Sequence, residues 1–420
     1  MIKVLGSSWA LLLGVLLLMI GNGLQGTLLG LRGEIEGFST FEISLVMSGY
    51  FLGFLGGSRL APEMIRRVGH VRVFAALASF ISAALILFPV VADPWVWIGL
   101  RIIVGFCFSG VYVTSESWLN NSASNETRGQ ALSAYMIVQM LGLVAAQAIL
   151  TLGDPSGFVL FIIPSVLVSI AFAPILLSAQ PMPAFGRTQP LSIARLYRIS
   201  PLGCVGMFLV GGIYSALLGM ASVYGVKAGL SVPEISTFIG AMFVGGLLLQ
   251  YPIGWLSDRM DRRHLIFGAA VIGALGALAG LAMGGVLPAL VVASAVIGGM
   301  TNPLYALLIA HTNDFIEHED MAAASGGLIF LNGMGAVAGP LITGWIMGQL
   351  GPGGFFVFIA ALMGALAAYA AWRMTRRPAP DTDHTGAYAH VMAASSPVAV
   401  ELAQEVFQDG LDEAAEERNH

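Results

Sequence analysis

Ser178-Ala-Gln-Pro181-Met-Pro183-Ala-Phe-Gly-Arg187-Thr-Gln-Pro190-Leu-Ser-Ile-Ala-Arg195-Leu-Tyr-Arg198-Ile-Ser200 carries three prolines and three arginines between two long apolar tracts. It reads as a linker, because proline removes a backbone donor and clustered arginines are costly in hydrocarbon. Working outward from it, the chain divides into six apolar segments on each side. Those before it are 7–31, 42–60, 72–92, 95–119, 130–152 and 157–178. Those after it are 201–226, 232–255, 264–284, 288–311, 321–349 and 354–373. A bilayer core is crossed by about 20 helical residues, and backbone groups in lipid must be satisfied within the segment, so each is expected to be a transmembrane helix. The predicted fold is an all-α integral membrane protein with twelve transmembrane helices in two pseudo-symmetric six-helix bundles, 1–178 and 201–373. A cytoplasmic linker over 179–200 joins them, and an acidic cytoplasmic tail over 374–420 follows.

Composition agrees. Of 420 residues, 57% are hydrophobic and 10% charged, with a mean hydropathy of +0.82, whereas a soluble protein carries about 25% charged residues. The net charge of -5 is concentrated in the tail and offers nothing to a nucleic acid. Cys107 and Cys204 fall in or beside apolar segments, as small buried residues without metal spacing. The 53 glycines imply closely packed helices. The first apolar run is longer than a signal-peptide core and is kept as the first helix. With the N-terminus inside, Lys and Arg fall almost entirely on the cytoplasmic side. Only Arg32 and Lys227 fall outside, and Arg101 lies within a span; this bias puts both termini in the cytoplasm. Outer connections such as Ala92-Asp93-Pro94 and Gly351-Pro352-Gly353 leave no room for an external domain. Asn125-Glu126-Thr127 fits a glycosylation acceptor but falls on the cytoplasmic side.

The two halves carry related loops. Gly254-Trp-Leu-Ser-Asp258-Arg259-Met-Asp-Arg262-Arg263 follows the eighth span, and Pro62-Glu-Met-Ile-Arg66-Arg67-Val-Gly69-His-Val-Arg72 follows the second. The former resembles the G-x-L-a-D-R-x-G-R-R loop of the major facilitator superfamily (MFS), with Asp261 in place of the second glycine. The latter is a degenerate copy, with Pro62 for the first glycine and Arg66 for the aspartate. Arg101-x-x-x-Gly105, Glu126-x-Arg128-Gly129 and Gly335-x-x-x-Gly339-Pro340-x-x-x-Gly344 are similar to further elements of that superfamily. The last resembles an antiporter motif that belongs in the fifth helix, not the eleventh. Over 115–147 and 305–344 the chain is similar to the YcaD-like bacterial inner-membrane branch. The resemblance runs from about residue 7 to 375, implies the twelve-helix fold and a multi-pass place in the bacterial inner membrane, and carries no substrate.

A charged side chain in mid-membrane costs a few kcal/mol or more, so each one needs an explanation. Arg101 reads either as an anchor for an anionic group or as a cap on neighbouring carbonyls. Asn22 and Gln25 share a face of the first helix, Tyr214 lies midway along the seventh, and Asn302 and Tyr305 share a face of the tenth. The resemblance implies that helices 1, 4, 7 and 10 line a cavity, which makes Asn22, Gln25, Arg101, Tyr214, Asn302 and Tyr305 the candidate substrate residues. Amides and hydroxyls that simply join helices are the alternative reading. Gln139 and Asn332 are further neutral polar residues in spans. Glu116, in the last turn of the fourth span, corresponds by repeat to Asp314. Either Glu116 carries a proton, or Glu116 and Asp314 are latch partners of Arg67 and Arg262, with Gly254, Asp258 and Arg259 in the same cytoplasmic gate. Gly49, Gly53 and Gly57 form a smooth packing face. In the tail, Ser396-Pro397 can start a short helix whose Val398, Leu402 and Val406 stripe lies opposite Glu401, Glu405 and Asp409. That helix is expected to dock on the cytoplasmic face or on a partner, with a half-ordered solubilising tail as the other reading.

Neither a Walker loop nor a nucleotide-binding glycine fingerprint occurs, so neither ATP nor a cofactor is expected to drive the protein. His70, His264 and His311 lack ligand spacing, and no metal is expected. The expectation is a monomeric secondary transporter, in contact with the lipid bilayer and coupled to protons, that moves a small organic solute by alternating access. The competing class is a transporter-like membrane sensor or scaffold that signals through the tail.

Overall fold

The computed structural model describes residues 2–122, 127–171, 173, 191–316, 318–376, 388, 391–392, 396, 398–400 and 402–405. Most of the linker, including Arg187, lies outside them. So do Glu126 of the Glu126-x-Arg128-Gly129 stretch and Pro397, Glu401, Val406 and Asp409 of the tail.

Thirteen helices follow one another among the described residues: α1 Ile2–Ile35, α2 Thr40–Val68, α3 His70–Leu87, α4 Pro94–Ser122, α5 Arg128–Leu150, α6 Val159–Ala171, α7 Ile193–Ile199, α8 Pro201–Lys227, α9 Val232–Ser257, α10 Arg262–Ala282, α11 Leu287–Asn313, α12 His318–Leu350 and α13 Gly354–Met374. Residues 398–400 and 402–405 are also helical. Eleven of the thirteen are long and apolar enough to cross a membrane, and the 13-residue α6 is apolar but shorter. The third span ends earlier than the hydropathy suggests, at Leu87. Beyond it the Trp97 indole N–H donates to the carbonyls of Phe88 and Val91 (3.0 and 2.8 Å) and holds the turn closed.

Local signals repeat between the halves. Gly37 and Gly229 adopt positive φ (79° and 77°), which a residue with a Cβ seldom does. Two residues later Ser39 and Ser231 cap α2 and α9, each bonded reciprocally through the glutamate three positions on, Glu42 or Glu234. Packing repeats as well. α2 packs on α4 as α9 does on α11, α1 on α5 as α8 on α12, α3 on α6 as α10 on α13, and α1 on α6 as α8 on α13. At the first of these contacts a Cβ on Gly53 would run into the Ile102 carbonyl, and one on Gly245 into that of Ala295. The interface therefore depends on the absence of side chains there.

Between the two sets, α2 packs against α12, α5 against α9 and α1 against α8. Arg66, Arg67, Asp258, Arg262 and Asp314 gather at one end of the bundle, here called the arginine-rich face. At the opposite end Lys227 of α8 pairs with Glu34 of α1 at 3.2 Å, and Gly30 of α1 lies against Ser222 of α8.

Candidate functional site

A cavity lies between the two sets of helices, with about 1030 Å³ of free space, part of it open to the outside. Met19 and Asn22 of α1, Tyr50 and Phe54 of α2, Arg101 and Tyr112 of α4, Gln139 of α5, Tyr214 of α8, Phe243 of α9 and Asn332 of α12 contribute to its wall. Met392 of the tail closes part of it.

One hydrogen-bonded chain organises the polar wall. The Asn22 amide donates to the hydroxyls of Tyr50 (3.2 Å) and Tyr112 (2.9 Å). Gln25 donates to the Asn22 carbonyl oxygen (3.1 Å) and accepts from Arg101 Nη1 (2.9 Å). The Arg101 guanidinium also meets Met47 Sδ at 3.6 Å and stands over the Tyr50 ring, 4.6 Å from its centroid. Each of these partners is neutral. Arg101 is 3% exposed, and its buried Nε–H has no hydrogen-bond partner among the described residues. A cation held in a low-dielectric wall by dipoles and an aromatic face retains much of its attraction for an anion.

The sequence-derived candidates separate here. Asn22, Arg101 and Tyr214 line the cavity, and Gln25 stands behind them as the link from Asn22 to Arg101. Asn302 and Tyr305 are buried between helices and are not among the lining residues. Asn302 donates to the Gly298 carbonyl at 3.2 Å, while its side-chain oxygen and the Tyr305 hydroxyl have no partner among the described residues. Sequence spacing did not single out Tyr50 or Tyr112. Tyr112 was recoverable, since Arg101, Phe108 and Tyr112 recur at seven and four residues along one helix face. Tyr50 offered no comparable signal.

At the arginine-rich face the second half holds a buried ion pair. Arg262 of α10 reaches Asp314, just past α11, and its Nε donates to Ser257 at 3.1 Å. The two side chains are 2% and 3% exposed. Asp261, which stands where the superfamily loop has glycine, caps α10 by accepting from the Arg263 N–H (2.9 Å), and it pairs with the Arg263 side chain at 2.8 Å. Gly254 sits buried in the last turn of α9, where its carbonyl accepts from the Asp258 N–H at 3.2 Å. Arg259 turns back on that helix end, over the Trp255 ring at 4.2 Å. Asp258 accepts from the Tyr388 N–H at 2.7 Å; burial pushes its carboxyl above the ordinary range, with that hydrogen bond and Arg262 opposing.

The first half differs. Arg67 does not meet Glu116. Arg66 and Arg67 both pair with Glu63 on their own helix, at 2.5 and 2.8 Å, and the Arg67 side chain is 74% exposed. Two arginines within one turn of a local carboxylate satisfy it at no cost in burial. Glu116 is 1% exposed and accepts from the Tyr135 hydroxyl at 3.0 Å and from Ser396 of the tail, through its N–H (3.1 Å) and its hydroxyl. The tail continues from there. Gln404 donates to Asn313 of α11 (3.1 Å) and to the Met321 carbonyl of α12 (3.0 Å), and Glu405 pairs with Arg128 of α5 at 3.0 Å. Val391, Met392, Val398, Val400 and Leu402 are buried, and full burial of such a side chain is worth about 1.5–3 kcal/mol.

Known proteins match this description. A family model described as Major Facilitator Superfamily matches residues 11–242 and 202–406. An uncharacterized MFS-type transporter of Yersinia pestis (strain Pestoides F) is 28% identical over 356 residues, 84% of this chain and 92% of the relative. The uncharacterized MFS-type transporter YcaD of Escherichia coli O6:K15:H31 (strain 536 / UPEC) is 29% identical over 358 residues, again 84% and 92%. Among solved structures, a mutant of the nucleoside transporter NupG superposes with a TM-score of 0.71 at 15% identity, covering 86% of this chain and 99% of that one. A bacterial homolog of the human lysosomal transporter Spinster, inward-facing and unoccupied, superposes with a TM-score of 0.67 at 13% identity, covering 96% and 98%. Together with the apolar helices, the relatives make this a multi-pass bacterial membrane protein. The chain belongs to the major facilitator superfamily, a family of membrane transporters and not of enzymes.

Proposed function

We propose that the protein is a secondary active transporter of a small organic anion, or of an amphipathic solute with an anionic group, across the bacterial inner membrane. The observation that carries the reading is Arg101, a buried cation on the cavity wall whose partners are all neutral and whose Nε–H is free among the described residues. The aromatic wall from Tyr50, Phe54, Tyr112, Tyr214 and Phe243 suits an apolar or ring-bearing body.

In this reading twelve helices cross the membrane, α6 among them. Bundles 1–178 and 201–373 rock about the cavity, the linker 179–200 tethers them, and the tail 374–420 follows. The arginine-rich face and both termini are cytoplasmic, in keeping with the positive-inside bias. The driving force is a proton gradient or the solute's own gradient, since the sequence has no nucleotide-binding loop. The unit is a monomer. Repeated packing of the helix pairs supports two bundles that move as bodies, and contacts such as Lys227 with Glu34 would break at the opposite face.

Thermal stability of the purified protein is the first test, run with organic anions and their neutral isosteres, because a ligand of the folded state raises apparent stability by mass action. Anions are expected to raise Tm in wild type and to have no effect in Arg101→Ala. Equal shifts from the neutral isosteres would sink the anion assignment. Uptake of a stabilising anion into proteoliposomes, with and without an imposed pH gradient, then tests coupling.

A further inference from the structure

The tail is joined to both sets of helices and to the cavity. Tyr388 donates its N–H to Asp258 beyond α9, Met392 lines the cavity, Ser396 is bound to Glu116 of α4, and Gln404 bridges Asn313 of α11 and Met321 of α12. Glu405 closes on Arg128 of α5. These anchors lie at the arginine-rich face, on helix ends that belong to different halves.

We propose that these tail residues form an intramolecular plug that closes the cavity at the arginine-rich face and staples the two bundles together, so that solute passes this face only when the tail undocks. Glu116 explains why the tail binds where it does. Its repeat counterpart, Asp314, is neutralised by Arg262, whereas Arg66 and Arg67 are held by Glu63, and no cation contacts Glu116 among the described residues. A buried carboxylate needs donors. Ser396 supplies two of them, just ahead of the helical residues 398–400 and 402–405, of which Val398, Val400 and Leu402 are buried. Undocking leaves Glu116 facing water in an open mouth, which removes the need for those donors. Docking and closure are therefore one event.

The inference takes the arginine-rich face to be cytoplasmic, as in the transporter reading, but its test needs neither a substrate nor that orientation. Ser58 lines the cavity from α2. In a Cys107→Ala, Cys204→Ala, Ser58→Cys background, a membrane-impermeant maleimide is added to inside-out and right-side-out vesicles, and labelling at residue 58 is read by peptide mass spectrometry. Truncation after Arg376 is expected to speed labelling about ten-fold or more in inside-out vesicles, a shift in open population of roughly 1.4 kcal/mol. Asn313→Cys with Gln404→Cys in the full chain is expected to crosslink on mild oxidation, to hold labelling at its slow rate and to release it on reduction. This second arm keeps the test informative if the truncated chain does not fold. A gain seen in right-side-out vesicles alone would overturn the assigned orientation and leave the plug standing. Labelling that is indifferent to truncation and to the state of the crosslink, or a crosslink that never forms, would overturn the plug.

Discussion

Glu116 and Asp314 occupy corresponding places in the two halves, and they have solved the same electrostatic problem in different ways. Asp314 is buried against an arginine from its own half, while Glu116 is buried against the Tyr135 hydroxyl and a segment from the far end of the chain. The apolar framework around them hardly differs: the capped helix starts, the positive-φ glycines and the helix pairs recur. Packing tolerates only a few solutions, because a displaced backbone leaves voids or clashes. A charge at a helix end can take any donor that reaches it. The duplicated scaffold is thus kept by packing, and the halves diverge where hydrogen-bond donors are interchangeable.

The largest expected effect lies in that contrast. Arg262→Ala strands Asp314 as a buried unpaired carboxylate and should cost about 3–5 kcal/mol, whereas Arg67→Ala removes only an exposed, solvent-screened helix-surface pair and should cost far less. Matched denaturation curves in detergent check this, and similar losses in the two variants would erase the distinction between the loops. Gly53→Val and Gly245→Val probe what the halves share. Each puts a side chain against a backbone carbonyl of the neighbouring helix, so both should lose about 1–3 kcal/mol by overpacking. If only one variant suffers, the repeat in packing is not a repeat in energetics. Glu116→Gln keeps the side chain's shape but exchanges charged for neutral hydrogen bonds, a loss of about 1 kcal/mol. The effect should vanish when the tail is removed, as a double-mutant cycle would report.

The same contrast carries a pH dependence. Asp314 lies just beyond α11, where burial pushes its carboxyl up from 3.8 to about 6; the Arg262 attraction opposes this and Asp261 adds to it. A folded-state value above the ordinary one favours the protonated form. The stabilisation from Asp314 is therefore complete below pH 3.8 and is lost as pH rises through about 6. The stability difference between wild type and Asp314→Asn should shrink between pH 4 and 7; a difference that stays constant would place the titration elsewhere.

Much of the site was legible in part. Asn22 and Gln25 were visible as a helix-face pair and Arg101 as a charge that required a reason, because polarity in a span is conspicuous against its background. Asn302 and Tyr305 were equally conspicuous, yet they lie between helices, since one helix face meets both a cavity and its neighbours along its length. The pairing of Arg67 with Glu116 read from the repeat gives way to Arg67 with Glu63, four residues away on the same helix. Local competition of that kind depends on rotamers and exposure, which a repeat comparison does not weigh.

The sequence by itself determined the number and spacing of the apolar segments, their membrane character, the duplicated loops and the family, because length, hydropathy and motif spacing are local properties of the chain. Only the tertiary structure decided which polar residues share the cavity wall, that Arg101 has neutral partners alone among the described residues, and that the acidic tail returns to Glu116. Those outcomes depend on distances between residues far apart in sequence, where several donors compete for one buried acceptor and the packing chooses among them.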